Sequence, residues 1–468
     1  MLRPIVRAIV LLGLLAGTPA AAQTGQFNLE KTKTVLTGLI ETAIRERGVP
    51  SISIALVRGD SIVWKAAFGY ANVRTKTPAT PETIYSTGST FKSATATGLL
   101  QLLEQKKLDL DAPVNQYLGN IQVQDRLQSD KPVTTRHILS HWSGLNAGAV
   151  TKPLWGRELP KALEQMVSGL YSIRAPEAKW EYNNFAFGLA GLLLENISGT
   201  EYEKYLIENI LKPLGVATPH PVYPSAEMVE LMALPYNAGG ATGKPVPVAQ
   251  VHFDVYPAGD IYLTAEDMAR FLAMHLNGGT FRGKRIISEA SAKLAHEPPY
   301  GGTYGFGWSV RKESSGHTII SHSGGIPGQS SYMMGDVDAK VGVYYMSNSG
   351  APPAIGEAAL KLLRGEEYVP PVAVERKAIT VDPKVLDRYV GTYNLGVGIS
   401  LVVTREGAGL VLRQHGSDAP MALLPETATT FFVRGQELIV TFVAGPTGAI
   451  DKLVVGSGAS ALEAKRSQ

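Results

Sequence analysis

The sequence contains no cysteine. Its fold therefore uses no disulfide, no cysteine nucleophile and no thiolate metal site. Net charge is nearly absent as well: 44 Lys and Arg stand against 41 Asp and Glu, a formal charge of +3. There is no basic stripe and no acidic tail, which argues against nucleic-acid partners and electrostatic docking on membranes. A G-x-S-x-G elbow is missing, as are a P-loop and G-x-G-x-x-G, so neither an α/β-hydrolase site nor a nucleotide cofactor is implied. His137 and His141 have the i, i+4 spacing of helical metal ligands, but no Glu follows His137. Packing and hydrogen bonding account better for the pair, and no metal or other cofactor is expected.

Long apolar runs are scarce too. Ala8–Gly17 is one, but it is too short to span a bilayer. Arg3 and Arg7 precede it, and Ala20-Ala21-Ala22 follow, ahead of Gln23. Residues 1–22 thus read as a secretory signal, which predicts a secreted or periplasmic protein. Without Arg3 and Arg7, the 44 cations become 42 against 41 anions, a net of +1. No second run of about eighteen apolar residues occurs, so no membrane span is expected once the signal is removed.

What is present fits two or three domains in 468 residues. Helical spacing of Leu36, Leu39, Ile40, Ala43 and Ile44 predicts a helix over 36–48. Ser51–Val57 and Ser61–Ala67 read as a hairpin around Arg58-Gly59-Asp60. A helix-rich stretch runs from Ser89 to about Lys212, with Thr200 and Glu203 spaced as a capping box. Ala265–Leu276 is a further amphipathic helix, and strands follow at Gly307–Val310, His317–Ser321, Ser330–Met334 and Val341–Met346. The predicted fold class is α/β in the broad sense, more strictly α+β. It has an antiparallel sheet built from both ends of residues 23–365, flanking helices and an inserted helical domain. A Pro-containing linker spans 366–377. Period-two segments beyond it, such as Ile399–Val403, Gly409–Arg413, Thr430–Val433, Glu437–Val443 and Lys452–Val455, predict a small all-β domain over 378–468.

Three motifs carry chemistry. Ser89-Thr90-Phe91-Lys92 has the form S-x-x-K. A serine hydroxyl needs a neighbouring base, and a lysine three residues on in a helix lies on the same face. Gly88 before it leaves room for a carbonyl substrate to approach the backbone. Ser309-Val310-Arg311-Lys312 repeats the motif but falls in a strand-like stretch, where i and i+3 face opposite sides. Tyr182-Asn183-Asn184 has the form Y-x-N. A phenol serves as a proton shuttle if a nearby ammonium lowers its pKa, and Asn184 can hold Lys92 or a substrate amide. Tyr70-Ala71-Asn72 has the same form after a strand. Finally His322-Ser323-Gly324-Gly325 contains the chain's single H-x-G, and its glycines let backbone amides face a substrate.

The order S-x-x-K, Y-x-N, H-x-G resembles the serine β-lactamase and penicillin-binding-protein superfamily, in its class C-like branch. That branch also holds D-aminopeptidases, DD-peptidases, family VIII esterases and related amidases. Thr135–Leu145 resembles its T-x-R-H-L-L-x-H-x-S-G-L segment; Pro176–Asn184, Tyr256–Gly259 and Tyr304–Trp308 are also similar. The resemblance covers roughly residues 30–365, and the C-terminal stretch is similar to small β domains appended to such enzymes. It implies that Ser89 forms an acyl-enzyme and that Lys92 and Tyr182 share general-base duty. Asn184 would organise the site, the amides of Ser89 and Gly325 would hold the oxyanion, and His322 would line the cleft beside Gly324. Many relatives place a carboxylate-binding Lys where His322 stands. An unperturbed His is mostly neutral at pH 7, which turns the expectation from β-lactams toward amides. The expected activity is peptidase or amidase on small molecules or peptides, with carboxylesterase or a penicillin-binding sensor as alternatives. Nothing in the sequence sets the oligomeric state.

Overall fold

A computed structural model of the chain describes residues 26–467 except 147–152, 156–161, 219–221, 223, 225, 238–243, 254, 371–375, 397–398, 415–420, 434–437 and 457–460. The expected signal, part of the linker and Glu437 therefore lie outside the described residues.

The first helix, α1, spans Leu29–Arg47. It begins earlier than the apolar spacing indicated because Asn28 caps it, its Oδ1 accepting from Lys31 N at 2.9 Å. Gly48, at φ 65°, ends it. Strands β1 (Ser51–Arg58) and β2 (Ser61–Asn72) form the expected hairpin, and β3 is the short Thr77–Pro78. The returning strands are β4 (Ser309–Lys312), β5 (Thr318–Ile326), β6 (Gln329–Asp336) and β7 (Val341–Ser347). Together they make one seven-stranded sheet in the order β4-β5-β6-β7-β1-β2-β3. Both chain ends of the domain meet at its centre, where β7 pairs antiparallel with β1.

That central position explains the unbroken apolar run of β1. Successive side chains point to opposite faces. Ile52, Ile54 and Leu56 enter a core with Leu36 and Ile40 of α1. Ala55 and Val57 enter the opposite, larger core, which holds Met268 and Leu272. The latter belong to the helix Ala265–Leu276, found at the predicted bounds and capped by Thr264 with Asp267. The Thr200–Glu203 box does not form. Glu195 Oε1 accepts from Tyr202 N at 2.9 Å, while Glu203 Oε1 accepts from Val222 N at 2.9 Å. A carboxylate from the preceding helix takes the place that local spacing assigned to Thr200.

The segment between β3 and β4 is the inserted helical part. It includes α2 (Lys92–Glu104) and α3 (Asn184–Ser198), which pack against each other. Beyond the linker, eight strands between Gly391 and Arg466 close into an antiparallel barrel. The first, β8 (Gly391–Gly396), pairs with the last, Leu462–Arg466. Tyr389, Tyr393, Phe431 and Phe442 fill its core.

Candidate active site

Ser89 lies in a 3₁₀ turn, Gly88–Phe91, that leads directly into α2. Sequence spacing placed Ser89 at a helix start, and the turn keeps Lys92 on its face. Most of α2 is buried although it is rich in small polar residues. Their hydroxyls are satisfied by backbone: Ser93 Oγ donates to Thr90 O at 2.8 Å, Thr95 Oγ1 to Pro257 O at 2.7 Å, and Thr97 Oγ1 to Ser93 O at 2.8 Å. A helix of this composition can therefore carry a lysine into the interior.

Lys92 is 0% exposed. Its Nζ lies 3.0 Å from Ser89 Oγ and donates to the Ala258 carbonyl at 2.6 Å. Burial holds its pKa well below the usual lysine range. A neutral amine with one N–H committed to Ala258 keeps its lone pair for the Ser89 hydroxyl. Nothing in the S-x-x-K spacing singled out Ala258, although it stands inside the Tyr256–Gly259 segment.

Tyr182 completes a triangle. Its hydroxyl hydrogen-bonds with Ser89, and Lys92 Nζ sits 4.9 Å from its ring centroid. The expected lowering of its pKa does not occur. Burial raises it, only partly offset by the Ser89 hydrogen bond. With Lys92 favoured as the neutral amine, no ammonium is held beside the phenol. Asn184 opens α3 and is exposed. It lines the cavity at Ser89 but does not hold Lys92, whose partners are Ser89 and Ala258. The buried member of the pair is Asn183. It caps α3 by accepting from Ala186 N at 3.2 Å and donates to Leu145 O at 3.1 Å. Tyr70-Ala71-Asn72 has no such setting: Tyr70 is 45% exposed, and Asn72 Oδ1 accepts from Arg74 N at 3.0 Å in a turn.

The H-x-G segment lies within β5, which continues past the expected end at Ser321 to Ile326. Pairing with β4 stops at Ser309↔Ser321, so His322 to Ile326 form a free edge on that side. His322 is 6% exposed. Its Nε2 lies 2.8 Å from Tyr304 Oη and its Nδ1 2.6 Å from Ser323 O. The carbonyl requires Nδ1–H, so Tyr304 donates to Nε2. Burial first, then the proximity of Lys92, pushes the imidazole down to about 3. It is neutral at physiological pH, and its orientation is set by Tyr304.

Gly88 serves a different purpose from the one its sequence position indicated. At φ 50° it packs against β5, and an added Cβ would lie 2.5 Å from Gly325 N. A Cβ on Gly259, at φ 139°, would lie 2.7 Å from Ser89 N. The three backbone segments meet only because they lack side chains. The result brings the Ser89 and Gly325 amides to one end of the cleft.

Two cavities meet at Ser89. One, of about 530 Å³, is walled by Trp180, Tyr182, Tyr304, His322 and Gly324. The other, of about 150 Å³, is lined by Asn184, Phe253, Val255, Asp260 and Gly325. Among the described residues neither lining contains Lys or Arg. Trp180, 39% exposed, is thus cleft wall, whereas Trp308 is core at 0%. The duplicate motif is split as strand geometry requires: Ser309 and Lys312 lie on exposed β4. His137 and His141 part company too. His137 binds Thr134 and Glu177, whereas His141 sits against Tyr182.

Comparison with known proteins agrees with this geometry. The family profile Beta-lactamase matches residues 36–366, and a domain of unknown function, DUF3471, matches residues 375–464. Penicillin-binding protein 4* of Bacillus subtilis is 28% identical over 425 residues, 85% of this chain and 91% of that protein. The octameric penicillin-binding protein homologue from Pyrococcus abyssi aligns with TM-score 0.59 and 26% identity, covering 93% of this chain and 100% of that one. A D-amino acid amidase from Ochrobactrum anthropi, complexed with D-phenylalanine, shares the fold at TM-score 0.56 and 24% identity, over 72% of this chain and 98% of its own. The chain belongs to the beta-lactamase family and is a serine hydrolase of that fold.

Proposed function

We propose that the protein is an exported amidase or peptidase that cleaves small, carboxylate-free amides through an acyl-enzyme on Ser89. The observation that carries this reading is Lys92 Nζ, 3.0 Å from Ser89 Oγ and fully buried. Lys92, not Tyr182, is the base: burial favours the neutral form of both groups, which is the basic form of an amine and the acidic form of a phenol. Ser89 Oγ attacks the carbonyl while its proton passes to Lys92 Nζ. The resulting oxyanion is held by the amides of Ser89 and Gly325. Lys92 returns the proton to the departing amine, with the Tyr182 hydroxyl hydrogen-bonded beside Ser89. A water then attacks the ester as Lys92 takes its proton, and Lys92 passes that proton to Ser89 Oγ as the bond to the acyl carbon breaks and the acid leaves.

Substrate charge follows from the walls. His322 is neutral, and neither cavity lining offers a cation, which disfavours a substrate carboxylate. The likeness to a D-amino acid amidase supports an amide, and the signal-like residues 1–22 support export. Labelling with a fluorophosphonate probe, followed by a panel of amino-acid p-nitroanilides and short p-nitrophenyl esters, tests the reading. Turnover of anilides that is lost in Ser89→Ala is the expected result. Amidase activity surviving in that variant removes Ser89. Turnover of esters alone makes the protein a carboxylesterase, and a stable penicillin adduct on Ser89 without product makes it a penicillin-binding sensor.

A further inference from the structure

His141 was set aside as a metal ligand, and the acyl-transfer steps do not use it. Its surroundings are unusual for a packing residue. It is 0% exposed and holds φ 65°, a left-handed conformation that non-glycine residues adopt only where contacts enforce it. That conformation turns both its carbonyl and its ring toward one short segment. The His141 carbonyl accepts from Glu181 N at 2.9 Å. Its Nδ1 accepts from Asn183 N at 3.1 Å. The two hydrogen bonds bracket Tyr182 on either side in the chain. The imidazole then lies on the Tyr182 ring itself, with centroids 4.3 Å apart.

The tautomer follows from these contacts. Because Nδ1 accepts, Nε2 carries the hydrogen. This N–H is buried with no hydrogen-bond acceptor among the described residues. Around the imidazole stand the rings of Tyr182, Tyr304 at 4.8 Å, Phe187 at 5.2 Å and Trp180 at 6.0 Å. An isolated donor in this aromatic cage is a poor arrangement for stability alone, where an apolar side chain would fill the space without it.

We propose that His141 is a positioning residue for Tyr182: it clamps residues 181–183 through its carbonyl and Nδ1 and fixes the phenol ring by contact, so that the hydroxyl stays on Ser89. The inference rests on the role given to Tyr182 above. It assigns His141 no contact with substrate.

The test is a mutant cycle on p-nitrophenyl acetate hydrolysis, with thermal melts to certify folding. Asn tolerates the left-handed backbone, and its Oδ1 can replace Nδ1 as acceptor, so His141→Asn keeps part of the clamp and loses the ring. It should lower kcat about tenfold, and His141→Ala about 10²-fold, the scale of a 1 Å misplacement, with KM changed less than twofold. In a Tyr182→Phe background each substitution should cost less than twofold. If His141→Ala fails to fold, the cycle is read from His141→Asn alone. A full His141→Asn cost in the Tyr182→Phe background overturns the proposal and leaves the role of Tyr182 standing, as does an unchanged kcat in folded His141→Asn. If Tyr182→Phe is itself as active as the native chain, the role of Tyr182 falls and the proposal falls with it.

Discussion

The chain carries S-x-x-K twice, and the two copies have opposite fates. Ser89 and Lys92 lie on a 3₁₀ turn running into a buried helix, where their polar atoms meet at 3.0 Å. Ser309 and Lys312 lie on the outermost strand of the sheet, both exposed and one residue out of phase. The same four-letter spacing makes a reactive pair at a period near three and separates the residues at a period of two. Burial is the second difference. Lys92 loses its hydration and is pushed toward the neutral amine, whereas Lys312 stays in water.

Substitutions can sharpen that contrast. The largest expected effect is on turnover in Ser89→Ala, a loss of roughly 10⁴-fold or more in kcat; Ser309→Ala, on the cavity rim, should stay within a few-fold when assayed in parallel. Gly88→Ala comes next. Its Cβ would meet Gly325 N at 2.5 Å and disturb one oxyanion donor, so kcat should fall about 10²-fold while the chain still folds. The pH–rate profile separates the lysines in another way. Activity requires neutral Lys92, so kcat/KM should rise with pH along a limb set by that group and then level off. Because burial lowers its pKa, the limb should lie well below the ordinary lysine value of about 10.4, and Lys312→Met should leave it in place. Stability carries the smallest effect. The unfolded chain protonates Lys92 below about pH 10.4, while burial in the folded chain disfavours the charged form, so burying it costs stability below that pH. Lys92→Met should abolish turnover yet raise Tm by about 2–4 °C, and Lys312→Met should do neither.

Much of the fold was legible because local rules coincide with tertiary ones. The helix Ala265–Leu276 appears where its amphipathic period and the following Asn277-Gly278-Gly279 put it, and the structure adds the Thr264 cap. Six of the seven strands of the sheet were read from the sequence, most of them short at the C-terminal end; Gly307–Val310 and His317–Ser321 also began early, and the two-residue Thr77–Pro78 was not read. The readings that failed did so through distant partners. Thr200 lost its capping role to Glu195 of the preceding helix, which accepts from Tyr202 N, seven residues on. Gly88 reads locally as room for substrate, but its φ and its contact with Gly325 come from β5, more than two hundred positions on. The site residues Ser89, Lys92, Tyr182 and His322 were visible as motifs, and all line or adjoin one cleft. Ala258, Tyr304 and His141, which hold three of them, fall inside the family-like segments but could be given no such role, since a backbone carbonyl and tertiary hydrogen bonds leave no spacing to read. Closure of the C-terminal barrel was likewise hidden, because it depends on pairing the first strand with the last.

That closure bears on how the chain can be made and cut. The seam consists of Tyr393 opposite Arg466 and Asn394 opposite Lys465, with Arg466 also donating to Val390 O and Ile450 O. During synthesis the barrel cannot shut until Leu462–Arg466 has emerged. A chain stopped before Leu462 would leave two unpaired strand margins, at Gly391–Gly396 and Ile450–Val455, each a template for pairing with another chain. The strand Leu462–Arg466 thus decides whether this unit is a sealed cylinder or an adhesive sheet.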